Sequence, residues 1–251
     1  MRGTALSVLL VLASASGAMA EGLVSTVSNA NVAITSSFDG ETLSLFGNIE
    51  PDEQQARAKG PYEIIIAITG PSVARVARLK TDNFGLWMNT EQVEFSPFPT
   101  YYHVLASNPL DHITEHQVLE DQHILPDAQT HLANQPASPT TERFGAELVR
   151  LMTQKGLFGV NERGVTFLSP TAYVAQLTLP ADISNGLFIT QTYLFKNGQL
   201  LATRGDSFTV NKTGFERFLF TSAHEHPLLY GLACVALAIG TGWLGGLVFR
   251  R

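Results

Sequence analysis

Short runs of β-branched and aromatic residues, separated by turn formers, dominate the chain from Asn31 to Ser107. The runs Val32 to Thr35, Leu43 to Gly47, Tyr62 to Thr69, Val73 to Lys80, Phe84 to Met88 and Tyr101 to Ala106 read as strands, because such residues fit a pleated, half-buried surface. Punctuation falls between them at Asp39-Gly40, Gly60-Pro61, Gly70-Pro71, Asp82-Asn83 and Pro97 to Pro99. The polar stretch Pro51 to Lys59 reads as a surface insertion. Strands at this spacing suggest a sandwich of immunoglobulin-like character.

The pattern changes after Pro109. Leu110 to Leu125 reads as a polar helix, and Pro126, Pro136 and Pro139 then interrupt the chain. A second helix, Thr141 to Lys155, is predicted with Phe144, Leu148, Leu151 and Met152 on one face and Thr141 near its cap. β patterning returns in Val165 to Leu168, Ala172 to Leu179, Leu187 to Phe195 and Leu200 to Val210. Asn197-Gly198 between the last two is a strong short-range hairpin signal. Gly205-Asp206, inside the last run, suggests a bulge.

Both ends are apolar. At the N-terminus, Arg2, the run Thr4 to Ser16 and Ala18-Met19-Ala20 form the three parts of a secretory signal peptide. At the C-terminus, Leu228 to Phe249 carries 22 residues without a charge, followed at once by Arg250 and Arg251. That length matches a membrane-spanning helix, and the terminal arginines place its end on the cytoplasmic side. The expectation is a single-pass protein of the bacterial inner membrane, with its N-terminal domain periplasmic and its C-terminus cytoplasmic.

Charge sharpens this picture. All 22 acidic residues lie between 21 and 227, where 13 basic residues accompany them, so the exported part carries a net charge of −9. Such a surface has no electrostatic reason to bind nucleic acid. The only cysteine, Cys234, falls in the span, which leaves the exported part without disulfides, thiol ligands or a cysteine nucleophile. No Gly-x-Ser-x-Gly elbow, His-Glu-x-x-His pair, Walker loop or dinucleotide fingerprint is present. Neither an enzyme nor a cofactor is expected.

Two histidine groups are the candidate metal ligands. His112 and His116 sit at i and i+4 of the polar helix, with Glu115, Glu120, His123 and His131 nearby, a set suited to zinc or copper(II). A solvated polar helix explains the same residues. The second group is His224-Glu225-His226 before Pro227. On a helix the two imidazoles would point about 200° apart, whereas in an extended segment they would converge. Proline suits the first helical turn, so a span beginning at Pro227 is favoured over one beginning near Gly214. The triplet reads as an interfacial polar collar, a contact to a membrane partner, or a metal or proton sensor.

Within the span, Ala238, Gly242 and Gly246 recur at i+4 intervals, a face that lets a second helix approach closely. The expected interaction residues are therefore His224, Glu225, His226, Pro227, Ala238, Gly242 and Gly246. The expected partners are membrane lipid, and another membrane protein or a second copy of the chain. Trp87 reads as a core residue, with a binding-face aromatic as the alternative.

The stretches "ITSSFDGETLSLFGNIE" (34–50), "ITGP" (68–71), "GLWMNTEQVEF" (85–95), "GVTFLSPTAYVAQLTLPADISNGLF" (164–188), "YLFKNGQLLA" (193–202) and "HEHPLLYG" (224–231) carry a resemblance. The chain resembles, nearly end to end after the leader, a family of uncharacterised alphaproteobacterial single-span membrane proteins. Its members tend to be encoded beside a permease resembling the sulfite exporter TauE/SafE group, which implies an accessory role beside a transporter. The histidines between 103 and 131 stand outside that family's pattern.

The expected architecture is mainly β, with immunoglobulin-like sandwich portions, a partly helical middle and one C-terminal transmembrane helix. Its expected segments are a leader (1–20), a β-rich portion (21–108), a helical or irregular connector (109–160), a second β portion (161–212), a juxtamembrane segment (213–227), the span (228–249) and a cytoplasmic end (250–251). Function is expected to be non-catalytic and accessory, with a periplasmic zinc- or copper-binding module as the competing class.

Overall fold

The computed structural model describes residues 22–34, 40–50, 61–133, 138–212 and 215–248. The expected leader, the insertion Pro51 to Lys59 and the two terminal arginines lie outside these described residues. The strands are β1 (Gly22–Val27), β2 (Asn31–Ile34), β3 (Glu41–Glu50), β4 (Tyr62–Thr69), β5 (Ser72–Asn83), β6 (Leu86–Pro99) and β7 (Tyr102–Ala106). Four helices follow: α1 (Leu110–Ile113), α2 (His116–Asp121), α3 (Ala128–His131) and α4 (Pro139–Gln154). Then come β8 (Phe158–Asn161), β9 (Val165–Phe167), β10 (Ala172–Leu179), β11 (Gly186–Lys196) and β12 (Gln199–Lys212), and finally α5 (Phe215–Glu225) and α6 (Pro227–Val248).

The protein is mainly β, as its patterning implies. One sheet has the order β1-β3-β10-β9 and the other β2-β12-β11-β4-β7-β8. Strands from the two β-rich stretches of sequence interleave: β3 pairs with β10 and β4 with β11, both antiparallel. Ile64 to Ile68 of β4 are buried at successive positions, since this strand lies inside the larger sheet and is covered on both faces. β10 instead alternates, burying Tyr173, Ala175, Leu177 and Leu179. Residues of both sheets and of the helical segment join one hydrophobic core. Within it, Phe188 stacks on Phe208, and Phe98 on Phe158.

Local chemistry sets the turns. Asn197 and Gly198 both hold positive φ (51° and 84°) between the paired Lys196 and Gln199, the geometry that a two-residue turn demands and that Asn-Gly supplies at little cost. The irregularity in the β11–β12 ladder falls at Leu194/Phe195, opposite Ala202 and Leu200, and not at Gly205-Asp206. Those two residues pair in register with Gln191 and Thr190.

The helical middle is more broken than its periodicity suggests. The single helix expected from Leu110 to Leu125 is divided into α1 and α2, because Thr114 is extended (φ −157°, ψ 169°) and its hydroxyl donates to the Gly198 carbonyl at 2.8 Å. The second helix begins earlier than expected. Ser138, not Thr141, is the N-cap: its Oγ accepts from the Thr141 amide at 3.1 Å, and Pro139 occupies the first turn.

A larger correction concerns Phe84 to Met88. Phe84 and Gly85, both at positive φ, form the two-residue turn of a long hairpin between β5 and β6, in place of the first residues of a strand. β5 and β6 pair only with each other, forming a two-stranded ribbon. Near its root, Phe95 and Phe98 are buried, and Ala77 and Val93 pack against the core. Beyond them Glu91 pairs with Arg143 of α4, and the remainder of the ribbon toward its tip is mostly exposed.

Candidate functional site

α6 contains 22 residues, and its stretch Pro227–Gly246 has mean hydropathy 1.7 with none of it buried within the protein. It is the one helix among the described residues long and apolar enough to cross a membrane. Leu228, Leu229, Leu232, Val235, Leu237, Ile239, Trp243 and Leu244 are exposed around it. The Thr241 hydroxyl donates within the helix to the Leu237 and Ala238 carbonyls, at 2.8 and 3.1 Å, so that it presents no unsatisfied donor to lipid. No atom lies within 4 Å of a Cβ placed on Gly242 or Gly246, and Ala238 on the same face is exposed. The three form an open, shallow strip along the helix.

At the junction, α6 begins at Pro227, as the restriction on a helix-interior proline implies. A second helix, α5, precedes it. The His226 amide completes the α5 ladder to the Ser222 carbonyl (3.1 Å), and the His226 carbonyl accepts from Tyr230 (3.0 Å), which makes this residue a one-residue joint. His224 is helical. Its Nδ1 lies 3.0 Å from the Phe220 carbonyl and its ring stacks on Phe220 with centroids 4.1 Å apart. The extended geometry that would let His224 and His226 converge is therefore not formed. Both remain exposed beside Glu225 and Pro227, at the head of the apolar segment.

The middle histidines are also dispersed. With Thr114 extended between α1 and α2, His112 and His116 do not share a continuous helical face. His116 instead pairs with Glu120 at 3.2 Å on the surface, and His123 sits at positive φ. Among the described residues, no three His, Cys, Asp or Glu side chains gather closely enough to hold a metal ion.

Two features carry no clear sequence signal. The first is an open groove of about 870 Å³ lined by Tyr62, Glu63, Ser107, Asn108, Arg163 and Lys196, among others. The Glu63 carboxylate accepts from the Ser107 hydroxyl and from Asn108 Nδ2 (2.9 Å), while Lys196 Nζ lies 4.4 Å from the Tyr62 ring centroid. Glu63 and Lys196 are thus engaged by their neighbours.

The second is the ribbon tip. Trp87 is 71% exposed and Phe84 fully so, with Leu86 and Met88 also exposed, contrary to the reading of Trp87 as core. The turn is closed by the Gly85 amide donating to Asp82 Oδ1 at 2.7 Å. Large apolar side chains gathered on a free hairpin mark a surface that another phase or molecule covers.

Among the titratable groups that burial perturbs is a histidine. His103 stacks on Tyr101 (centroids 4.6 Å apart), and its Nε2 lies 3.2 Å from the Gly156 carbonyl. Burial pulls its pKa below the ordinary histidine value, against the smaller opposing effect of that carbonyl.

Groups of exposed large apolar side chains thus lie on α6 and at the ribbon tip. None of the curated proteins compared with the chain matches it. A family described as "Putative transmembrane protein (Alph_Pro_TM)" matches residues 22–251, nearly the full length, and the chain belongs to that family of transmembrane proteins.

Proposed function

We propose that this is a non-catalytic, membrane-anchored accessory protein whose β domain is held on the periplasmic face by α6 and whose C-terminus is cytoplasmic. In this reading the leader is removed on export, and the protein acts through contact with another membrane protein. The observation that carries it is the Ala238–Gly242–Gly246 strip, which puts small residues at i+4 intervals along one exposed face of α6. A helix serving only as an anchor gains nothing from such a strip, whereas a packed helix gains close backbone approach. His224, Glu225 and His226 sit at the head of α6, where a partner's periplasmic loops would meet them.

The resemblance to proteins encoded beside sulfite-exporter-like permeases points to a permease of sulfur oxyanions as that partner. Crosslinking in native membranes followed by affinity purification tests the reading. A polytopic permease should be recovered with the tagged chain. Recovery of the chain alone, or only of its own dimer, would overturn the accessory role.

A further inference from the structure

We propose that the β5–β6 ribbon is a second membrane contact: its tip, Phe84 to Met88, seats in the lipid headgroup boundary of the bilayer that α6 spans. The inference rests on α6 being membrane-spanning, but requires no protein partner.

The tip is built for that boundary. Residues Asn83 to Thr90 contain no charge, and Phe84, Leu86, Trp87 and Met88 are all exposed on them. Phe84 occupies the left-handed region (φ 55°), an uncommon conformation for a bulky residue, and the turn projects it fully outward. Part of the tip's backbone is engaged within the ribbon: Gly85 N–H bonds Asp82 Oδ1, and Asn83 pairs with Leu86. Seating at the headgroup boundary leaves those groups paired. Polarity rises sharply behind the tip, where Lys80, Asp82, Asn89, Thr90, Glu91 and Gln92 are exposed. An apolar end, a tryptophan at the transition and a charged shaft match the order of acyl chain, interface and water.

Placement favours lipid over other cover. β4 and β12 both run antiparallel to β11, and Thr69 and Val210 lie toward the same end of that sheet, facing Ile189 and Gly186 respectively. The ribbon is rooted there: Thr100 N–H donates to the Pro71 carbonyl, and a Cβ on Gly186 would touch Pro71. β12 leaves from this end toward α5 and α6. The 12-residue β5 is about 40 Å long and the 11-residue α5, between β12 and the span, about 16 Å, so the ribbon is the longer of the two. The ribbon's root and the chain's exit toward α6 thus share one end of the larger sheet.

The chain's two tryptophans, Trp87 and Trp243, allow each contact to be read alone. Full-length protein, one copy per nanodisc of phosphatidylethanolamine and phosphatidylglycerol, is prepared as Trp243→Phe and as Trp87→Phe. In the first, Trp87 emission should be blue-shifted, insensitive to aqueous iodide and quenched by lipids brominated near the headgroup end of the acyl chain. In the second, Trp243 should be quenched by brominated lipid in the same discs. An iodide-quenched Trp87 with lipid-quenched Trp243 overturns the ribbon contact and leaves the span intact. A Trp87 shielded from both quenchers also overturns it, assigning the tip to protein cover such as a second copy. Loss of lipid quenching at Trp243 overturns the span itself, separately from the ribbon.

Discussion

Arg143 Nη2 on α4 lies 2.6 Å from Glu91 Oε2 on β6, an ion pair that bridges the helical segment and the exposed part of the ribbon. Both side chains are at least half exposed, so the pair contributes well under about 1 kcal/mol to global stability. Its effect is local. Arg143→Ala should leave the melting temperature almost unchanged while accelerating amide exchange in residues 80–92. Unchanged exchange there would show that the ribbon's direction is set by the buried Phe95 and Phe98 alone.

Gly47 faces a different constraint. The Tyr173 ring crosses it so closely that a Cβ would overlap the ring edge and hydroxyl. Gly47→Ala should cost about 1–3 kcal/mol through overpacking. In a double-mutant cycle with Tyr173→Ala, the combined cost should fall below the sum, because the second change removes the clash. Chemical denaturation monitored by circular dichroism gives both numbers, and strict additivity would refute the contact.

His103 makes stability depend on pH. Its folded pKa lies below the ordinary value of about 6.5, so the unfolded chain binds the proton more readily. Stability present above that value is lost as pH falls from it toward the folded pKa. His103→Gln should flatten this part of the profile relative to the parent, while leaving it parallel at higher pH. Identical profiles would mean the imidazole is freely solvated.

Ser138 caps α4 through the Thr141 amide, and Ser138→Ala should cost about 1 kcal/mol, with Ser138→Asp largely retaining stability. A neutral Ser138→Ala would show that the first turn is held by packing of Phe144 and Gly145 instead.

Features decided by short-range chemistry are legible in the amino-acid pattern. Asn197-Gly198 can only be a tight turn, the uncharged run after Pro227 can only be a long apolar helix, and the apolar run of β4 matches a covered strand. Pattern and fold part where distant contacts override local preference. Thr114 breaks the expected polar helix because it finds Gly198, 84 residues away, and that break separates His112 from His116. Trp87 has the pattern of a core residue because a strand inside a sheet and a strand of a free ribbon share the same alternation; only the pairing partners distinguish them. Flexibility at Gly205 suggests a bulge, yet the ladder stays regular there and shifts at Leu194/Phe195.

At the candidate site, Pro227 correctly marks the start of α6, but α5 ahead of it is not legible as a separate helix. Its presence makes His224 helical and removes the converging geometry that a metal reading of the triplet needs. What persists is a polar group at the head of an apolar helix, next to an open strip of small residues.

That strip is the most direct route to the central claim. Native membranes carrying tagged parent protein, or Gly242→Leu/Gly246→Leu, would be crosslinked and the recovered membrane proteins compared at equal expression of the chain. The account predicts that a permease is recovered with the parent and falls away with the double substitution, while the variant still fractionates with the membrane. Equal recovery with both proteins would contradict the α6 face as the contact, and absence of any membrane protein from the parent sample would contradict the accessory role itself.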